Sequence, residues 1–126
     1  MLLDTHVWAW SLTGDPFVSA IARERMDEAQ TLILSSVSFY EISHKVRLGK
    51  WPQMAPLVAR LVGLAQQQSL FIAPVTAELA LLAGLLDWSH RDPFDRMLAA
   101  TALASGMDLI SADTVFDTVP GLRRIW

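Results

Sequence analysis

Hydrophobic positions along the chain fall into short solid runs, separated by longer stretches in which apolar residues recur every three or four positions. The runs are Met1 to Leu3, Leu32 to Ser35, Leu70 to Ala73, Leu109 to Ile110 and Arg124 to Trp126. Runs this short, without polar alternation, predict strands buried on both faces. The longer stretches predict helices. Pro16 is expected to open a helix over Phe17 to Ala29, Ser36 or Ser38 to cap one reaching about Leu48, and Ala55 to Gln67 to form another after Trp51-Pro52. Thr76 caps Ala77 to Trp88, with Glu78 in the first turn. Asp92-Pro93 supplies an N-cap and then the residue suited to the first helical position, and Gly106 stops that helix after Ala104-Ser105.

Strand alternates with helix throughout, which predicts an α/β fold with a parallel sheet and helices on both faces. Ligands of such sheets bind beyond the C-terminal ends of the strands, where the strand order reverses. With the order 3-2-1-4-5, the first and fourth strands are neighbours at that point. Asp4 and Asp113, each following a strand, then share one crevice, and Glu41 and Asp95 come from helices that begin at the same rim. The length, with no linker, repeat or low-complexity segment, predicts a single domain over residues 1–126.

Asp4, Glu41, Asp95 and Asp113 form an all-oxygen set of the kind preferred by Mg²⁺ or Mn²⁺, hard cations that keep much of their water. Phosphoryl transfer is the main chemistry of such sites. Each acid also has an ordinary explanation. Asp4 suits the cap of a short helix Thr5-His6-Val7-Trp8, and Asp113 the cap of a turn over Thr114 to Asp117. Glu41 stands four before Lys45, an i,i+4 pair worth about 0.2–0.5 kcal/mol, although it borders the apolar stripe of Phe39, Ile42 and Val46. Asp95, three after the cap Asp92, occupies the helix's first turn, where an acid meets free N–H groups. Ala99 and Ala102 behind it let that helix lie close to the sheet. His6, His44 and His90 read as loop or helix-rim residues.

Composition changes this picture in three ways. A hydrophobic content of 52% with five Trp favours an oligomer or a protein partner, and Trp8 and Trp10 read as core or interface anchors. The most apolar stretch, Leu79 to Leu86, falls well short of the ~20 residues of a membrane helix, so no membrane association is expected. The chain has no cysteine and no charged n-region followed by an apolar one, which together predict a reducing, cytoplasmic setting. The net charge of −3 excludes a protein coated in basic residues. Even so, Lys45, Arg47 and Lys50 follow Glu41, while Arg91 and Arg96 bracket Asp92 and Asp95, so cations are available beside the acids to receive a phosphate backbone.

Four segments together resemble the PIN-domain ribonucleases: Leu2-Leu3-Asp4-Thr5-His6-Val7-Trp8, the helix around Glu41, His90-Arg91-Asp92-Pro93-Phe94-Asp95-Arg96-Met97-Leu98-Ala99-Ala100, and Leu109-Ile110-Ser111-Ala112-Asp113. The likeness extends over nearly the whole chain and is closest to the single-domain toxins of VapC type, which are encoded with a neutralising antitoxin. It implies a three-layer α/β/α sandwich with a five-stranded parallel sheet, RNA as substrate and a cognate antitoxin as partner. By this resemblance Asp4, Glu41, Asp95 and Asp113 are the catalytic metal-binding acids and Thr5 and Ser111 support them. The implied reaction is in-line hydrolysis by an activated water, with no protein nucleophile. Homodimerisation and antitoxin binding are expected through the helices Leu79 to Trp88 and Ala55 to Gln67. The short run before Asp4 leaves the first strand only three residues.

Two other readings stay open. Asp4 as the nucleophile of an aspartyl-phosphate-type phosphatase would want a second acid two positions on, where His6 stands, and a late Lys, whereas none follows Lys50. A non-catalytic PIN-like binding module would keep the acids as remnants and use the apolar surface as its purpose.

Overall fold

The computed structural model describes residues 1–126. Its strands are β1 (Leu2–Leu3), β2 (Ile33–Ser35), β3 (Phe71–Ala73), β4 (Leu109–Ile110) and β5 (Arg124–Ile125). All pair in parallel in the order β3-β2-β1-β4-β5, with Leu3 beside both Leu34 and Ile110. The predicted order is the observed one. The helices are α1 (Thr5–Thr13), α2 (Ala20–Glu28), α3 (Ser36–Arg47), α4 (Leu61–Gln67), α5 (Ala77–Leu85) and α6 (Pro93–Ser105), with 3-10 helices at Pro52–Arg60 and Thr114–Thr118.

Strand residues alternate between two apolar layers because successive side chains point to opposite faces. Leu3, Leu34 and Ile110 join Val7, Trp8, Ile42, Met54 and Leu61 on one face. Leu2 and Leu109 join Trp88, Leu98, Ala99, Ala102 and Phe116 on the other. Both faces of the central strands β1 and β4 are covered, which is why they read as solid apolar runs, whereas the edge strand β3, expected to be buried, leaves Phe71 exposed because no strand or helix covers it there. The result is a three-layer α/β/α sandwich. Ala99, Ala100 and Ala102 are completely buried, as the close seating of α6 requires.

Several element boundaries differ from the sequence expectation, each for a local reason. Ser19, not Pro16, opens the second helix: its hydroxyl accepts from Ala22 N at 3.0 Å, and Arg23 holds the preceding turn by donating to the Val18 and Pro16 carbonyls. Ser35 caps α3 from the end of β2, while Ser36 instead accepts from Val75 N and Ser38 is buried against Thr5. The expected helix over Ala55 to Gln67 is a 3-10 segment followed by α4, because Pro56 lacks an N–H and disfavours the α conformation before it. α1 runs on to Thr13 instead of stopping near Trp8, and closes at Gly14 in the left-handed conformation. α5 ends at Leu85, three residues before Trp88. Arg96 of α6 accounts for that end. Its guanidinium donates to the carbonyls of Ala83, Gly84, Leu86, Trp88 and His90, satisfying groups that a longer helix would have used internally.

Candidate active site

Asp4 follows β1 directly and caps α1, so one residue closes a strand and opens a helix at the rim where β1 and β4 lie side by side. Its carboxylate is buried. Oδ1 accepts from His6 N at 3.2 Å and Oδ2 accepts from the Ser111 hydroxyl at 2.5 Å, while the Asp4 N–H donates to the Ile110 carbonyl at 3.0 Å. Ser111 Oγ in turn accepts from Asp113 N at 3.0 Å. Thr5 Oγ1 donates to Ser38 Oγ at 2.9 Å, tying α1 to α3 beneath the site. Thr5 and Ser111 are both fully buried.

Glu41 projects from α3 and is only 4% exposed. Its Oε1 accepts from Lys45 Nζ at 2.6 Å, the i,i+4 pair legible in the sequence, but here one partner is in the interior. Lys45 Nζ also lies 3.5 Å from His6 Nε2 and 5.3 Å from the centre of the Trp51 ring, on which His6 stacks at 4.7 Å. His6 has its pKa raised, chiefly by its hydrogen bond with Asp4 and against the opposing effect of burial.

Asp95 does not cap its helix. That work falls to Asp92, whose Oδ1 accepts from Phe94 N at 2.8 Å and Asp95 N at 3.4 Å. Asp95 Oδ2 instead meets His90 Nε2 at 2.6 Å. Burial pushes the Asp95 carboxyl up to about 6; its bond with His90 opposes this, and the charges of Asp92 and Asp4 add to it. Asp95 thus lies within the field of Asp4. Asp113 differs from the other three acids: it is exposed, and its Oδ1 accepts from Val115 N at 2.9 Å as the cap of Thr114–Thr118.

The fold therefore buries Asp4, Thr5, Glu41 and Ser111, connects Asp4 with Glu41 through His6 and Lys45, pairs Asp95 with His90, and ties Asp113 to Asp4 through Ser111. His6 and His90, expected as rim residues, lie against Asp4 and Asp95. A signal for both was present: His6 sits in the first turn after Asp4, and His90 stands two before the cap Asp92. His44 stacks on Tyr40 instead. Among the cations expected to meet a phosphate backbone, Arg47, Lys50 and Arg91 are exposed, whereas Arg96 is not available, its donors being committed to backbone carbonyls. The donor chemistry of the acids suits a hard divalent cation. As the side chains stand, however, no three Asp, Glu or His residues are grouped closely enough to hold one; Lys45 and His90 engage two of the acids.

An open parallel sheet with buried carboxylates at its reversal point defines a class of α/β proteins that bind at the strand ends. A sequence profile of the PIN domain matches residues 1–122, and the chain belongs to that family. Ribonuclease VapC22 of Mycobacterium tuberculosis (strain ATCC 25618 / H37Rv) is 27% identical over 114 residues, covering 90% of this chain and 86% of that protein. The fold is similar to that of VapBC2 from Rickettsia felis, solved bound to a DNA fragment from its promoter, with a TM-score of 0.70, 17% identity, and 98% and 95% of the two chains covered. It is also similar to VapC20 of Mycobacterium tuberculosis, a sarcin-ricin loop cleaving toxin, with a TM-score of 0.62, 16% identity, and 97% and 98% covered.

Proposed function

We propose that this chain is a metal-dependent ribonuclease, the toxin of a toxin–antitoxin pair. The observation that carries the reading is the buried Asp4 carboxylate, pinned by Ser111 and the His6 N–H where β1 and β4 end, with Glu41 also buried on the helix that follows β2. Family membership, the relative named a ribonuclease and the likeness to a toxin–antitoxin complex support it. Asp4, Glu41, Asp95 and Asp113 would hold Mg²⁺ or Mn²⁺, which when bound would supply an activated water and counter the charge on the phosphate.

The chain's own residues do the rest. Ser111 holds the Asp4 carboxylate through Oδ2, and Thr5 ties α1 to α3, so the direction of that carboxylate is fixed by the fold. Arg47, Lys50 and Arg91, all exposed, would meet an RNA backbone. We further infer a homodimer and a cognate antitoxin as partners, because Leu81, Leu82 and Leu85 of α5 and Tyr40 of α3 leave apolar surface open. The cytoplasm is the compartment we assign, since both RNA and antitoxin are found there. The deciding experiment is an RNA cleavage assay with added Mg²⁺. EDTA should abolish cleavage and Asp4→Asn should lower it at least a hundredfold; full activity in either case would refute the assignment, and inactivity of a folded, metal-binding protein would favour a binding module.

A further inference from the structure

A carboxylate as buried as Glu41 is costly to leave ionised and unpaired. The chain supplies its own cation. Lys45 Nζ bonds Glu41 Oε1 at 2.6 Å, with His6 Nε2 at 3.5 Å and the Trp51 ring centre at 5.3 Å, so the ammonium sits between one acid and two stacked aromatic rings. The same arrangement turns Glu41 toward Lys45, and no three potential ligands are grouped for an ion. Lys45 engages Glu41 as His90 engages Asp95, so two of the acids are held by side chains of the protein itself.

We propose that Lys45 is an internal counter-ion which holds Glu41 until a divalent cation displaces it, and so sets how tightly the acids bind metal. The inference rests on the metal reading above and adds a residue to it that is no ligand. An ordinary exposed i,i+4 pair would have no such effect, since water screens both partners. Here the Glu41 side chain is 5% exposed while that of Lys45 is 30% exposed, so the acid is trapped and the ammonium has a way out. Its flexible four-carbon stem lets it leave without moving α3, and the Trp51 face can keep it by cation–π attraction. Breaking a charge-assisted hydrogen bond of this kind opposes metal binding by a factor on the order of ten to a hundred.

The chain has two lysines, Lys45 and Lys50, so lysine-labelled protein gives a readily assigned NMR spectrum. Titrating Mg²⁺ into chelator-treated wild type should shift the Lys45 Cε and Hε signals while those of Lys50 stay in place. Calorimetric titration with Mn²⁺ should show Lys45→Met binding about tenfold or more tightly than wild type, and Lys45→Arg, which keeps the counter-ion, close to it. Metal-free Lys45→Met should melt below wild type and recover when Mn²⁺ is added. Unmoved Lys45 signals at saturating Mg²⁺, or equal or weaker Mn²⁺ binding by Lys45→Met, would overturn the proposal and leave the metal site standing. If neither folded protein bound Mn²⁺, the metal reading itself would fall and take this one with it. Should Lys45→Met not fold, the wild-type lysine spectrum decides alone.

Discussion

Asp92 and Asp95 stand one helical turn apart and carry the same functional group, yet the backbone claims one and His90 the other. Asp92→Ala removes a cap and should cost about 0.5–2 kcal/mol of stability while cleavage persists. Asp95→Asn should do the reverse, sharply reducing cleavage and metal affinity. Its effect on metal-free stability depends on pH. The folded carboxyl titrates near 6 against 3.8 for the ordinary group, so its contribution is complete below about pH 4 and is lost as pH rises through 6. In chelator, urea denaturation at stepped pH should show wild type losing up to about 3 kcal/mol relative to Asp95→Asn between pH 4 and 7. A constant difference would mean the buried proton resides elsewhere. The acids were legible in the sequence because their placement after strands and at helix starts is a local pattern. Local partners such as Lys45 on Glu41 and His90 on Asp95 left a trace in the spacing, whereas Ser111 on Asp4 and Lys45 beside His6 depend on which elements pack together.

At the scale of elements, one arginine organises the link between two helices. Arg96 gathers five carbonyls from Ala83 to His90, so it fixes both the end of α5 and the loop that delivers His90. Arg96→Ala would leave several half-buried carbonyls unpaired and should destabilise the protein by about 2–4 kcal/mol, measured by thermal or urea unfolding. Lysine should not rescue it, because a single ammonium cannot reproduce a planar fork of five donors. In the sequence this residue stands among cations flanking an acid, and nothing local separates a phosphate-binding arginine from one spent on the backbone. The same limit explains the other element errors. Asp92-Pro93 and Gly106 gave α6 its true ends because caps act within a few residues. The split at Pro56 and the start at Ser19 turned on which of several plausible breakers and caps the tertiary structure used.

For the whole molecule, alternation predicted the parallel sheet, but the order 3-2-1-4-5 was one of several that the reversal rule allows, and the pairing of the strands selects it. Exposed surface is where pattern says least about geometry. Leu85 is 81% exposed on α5 and Leu81 65%. If this face joins two copies, light scattering should give twice the monomer mass for wild type and the monomer mass for Leu85→Glu, with a melting temperature of the isolated variant chain set by its own unchanged core. A wild-type monomer at high concentration would remove the dimer. The pairing of β1 with β4 has a consequence for biosynthesis. Leu3 and Ile110, neighbours in the sheet, leave the ribosome more than a hundred residues apart, and Asp4 meets Ser111 across the same gap. Loop closure of that length precedes any completed crevice. A nascent chain stalled before β4 emerges therefore has Asp4 but neither Ile110 nor Ser111 to hold it, and the crevice closes only after β4 has joined β1.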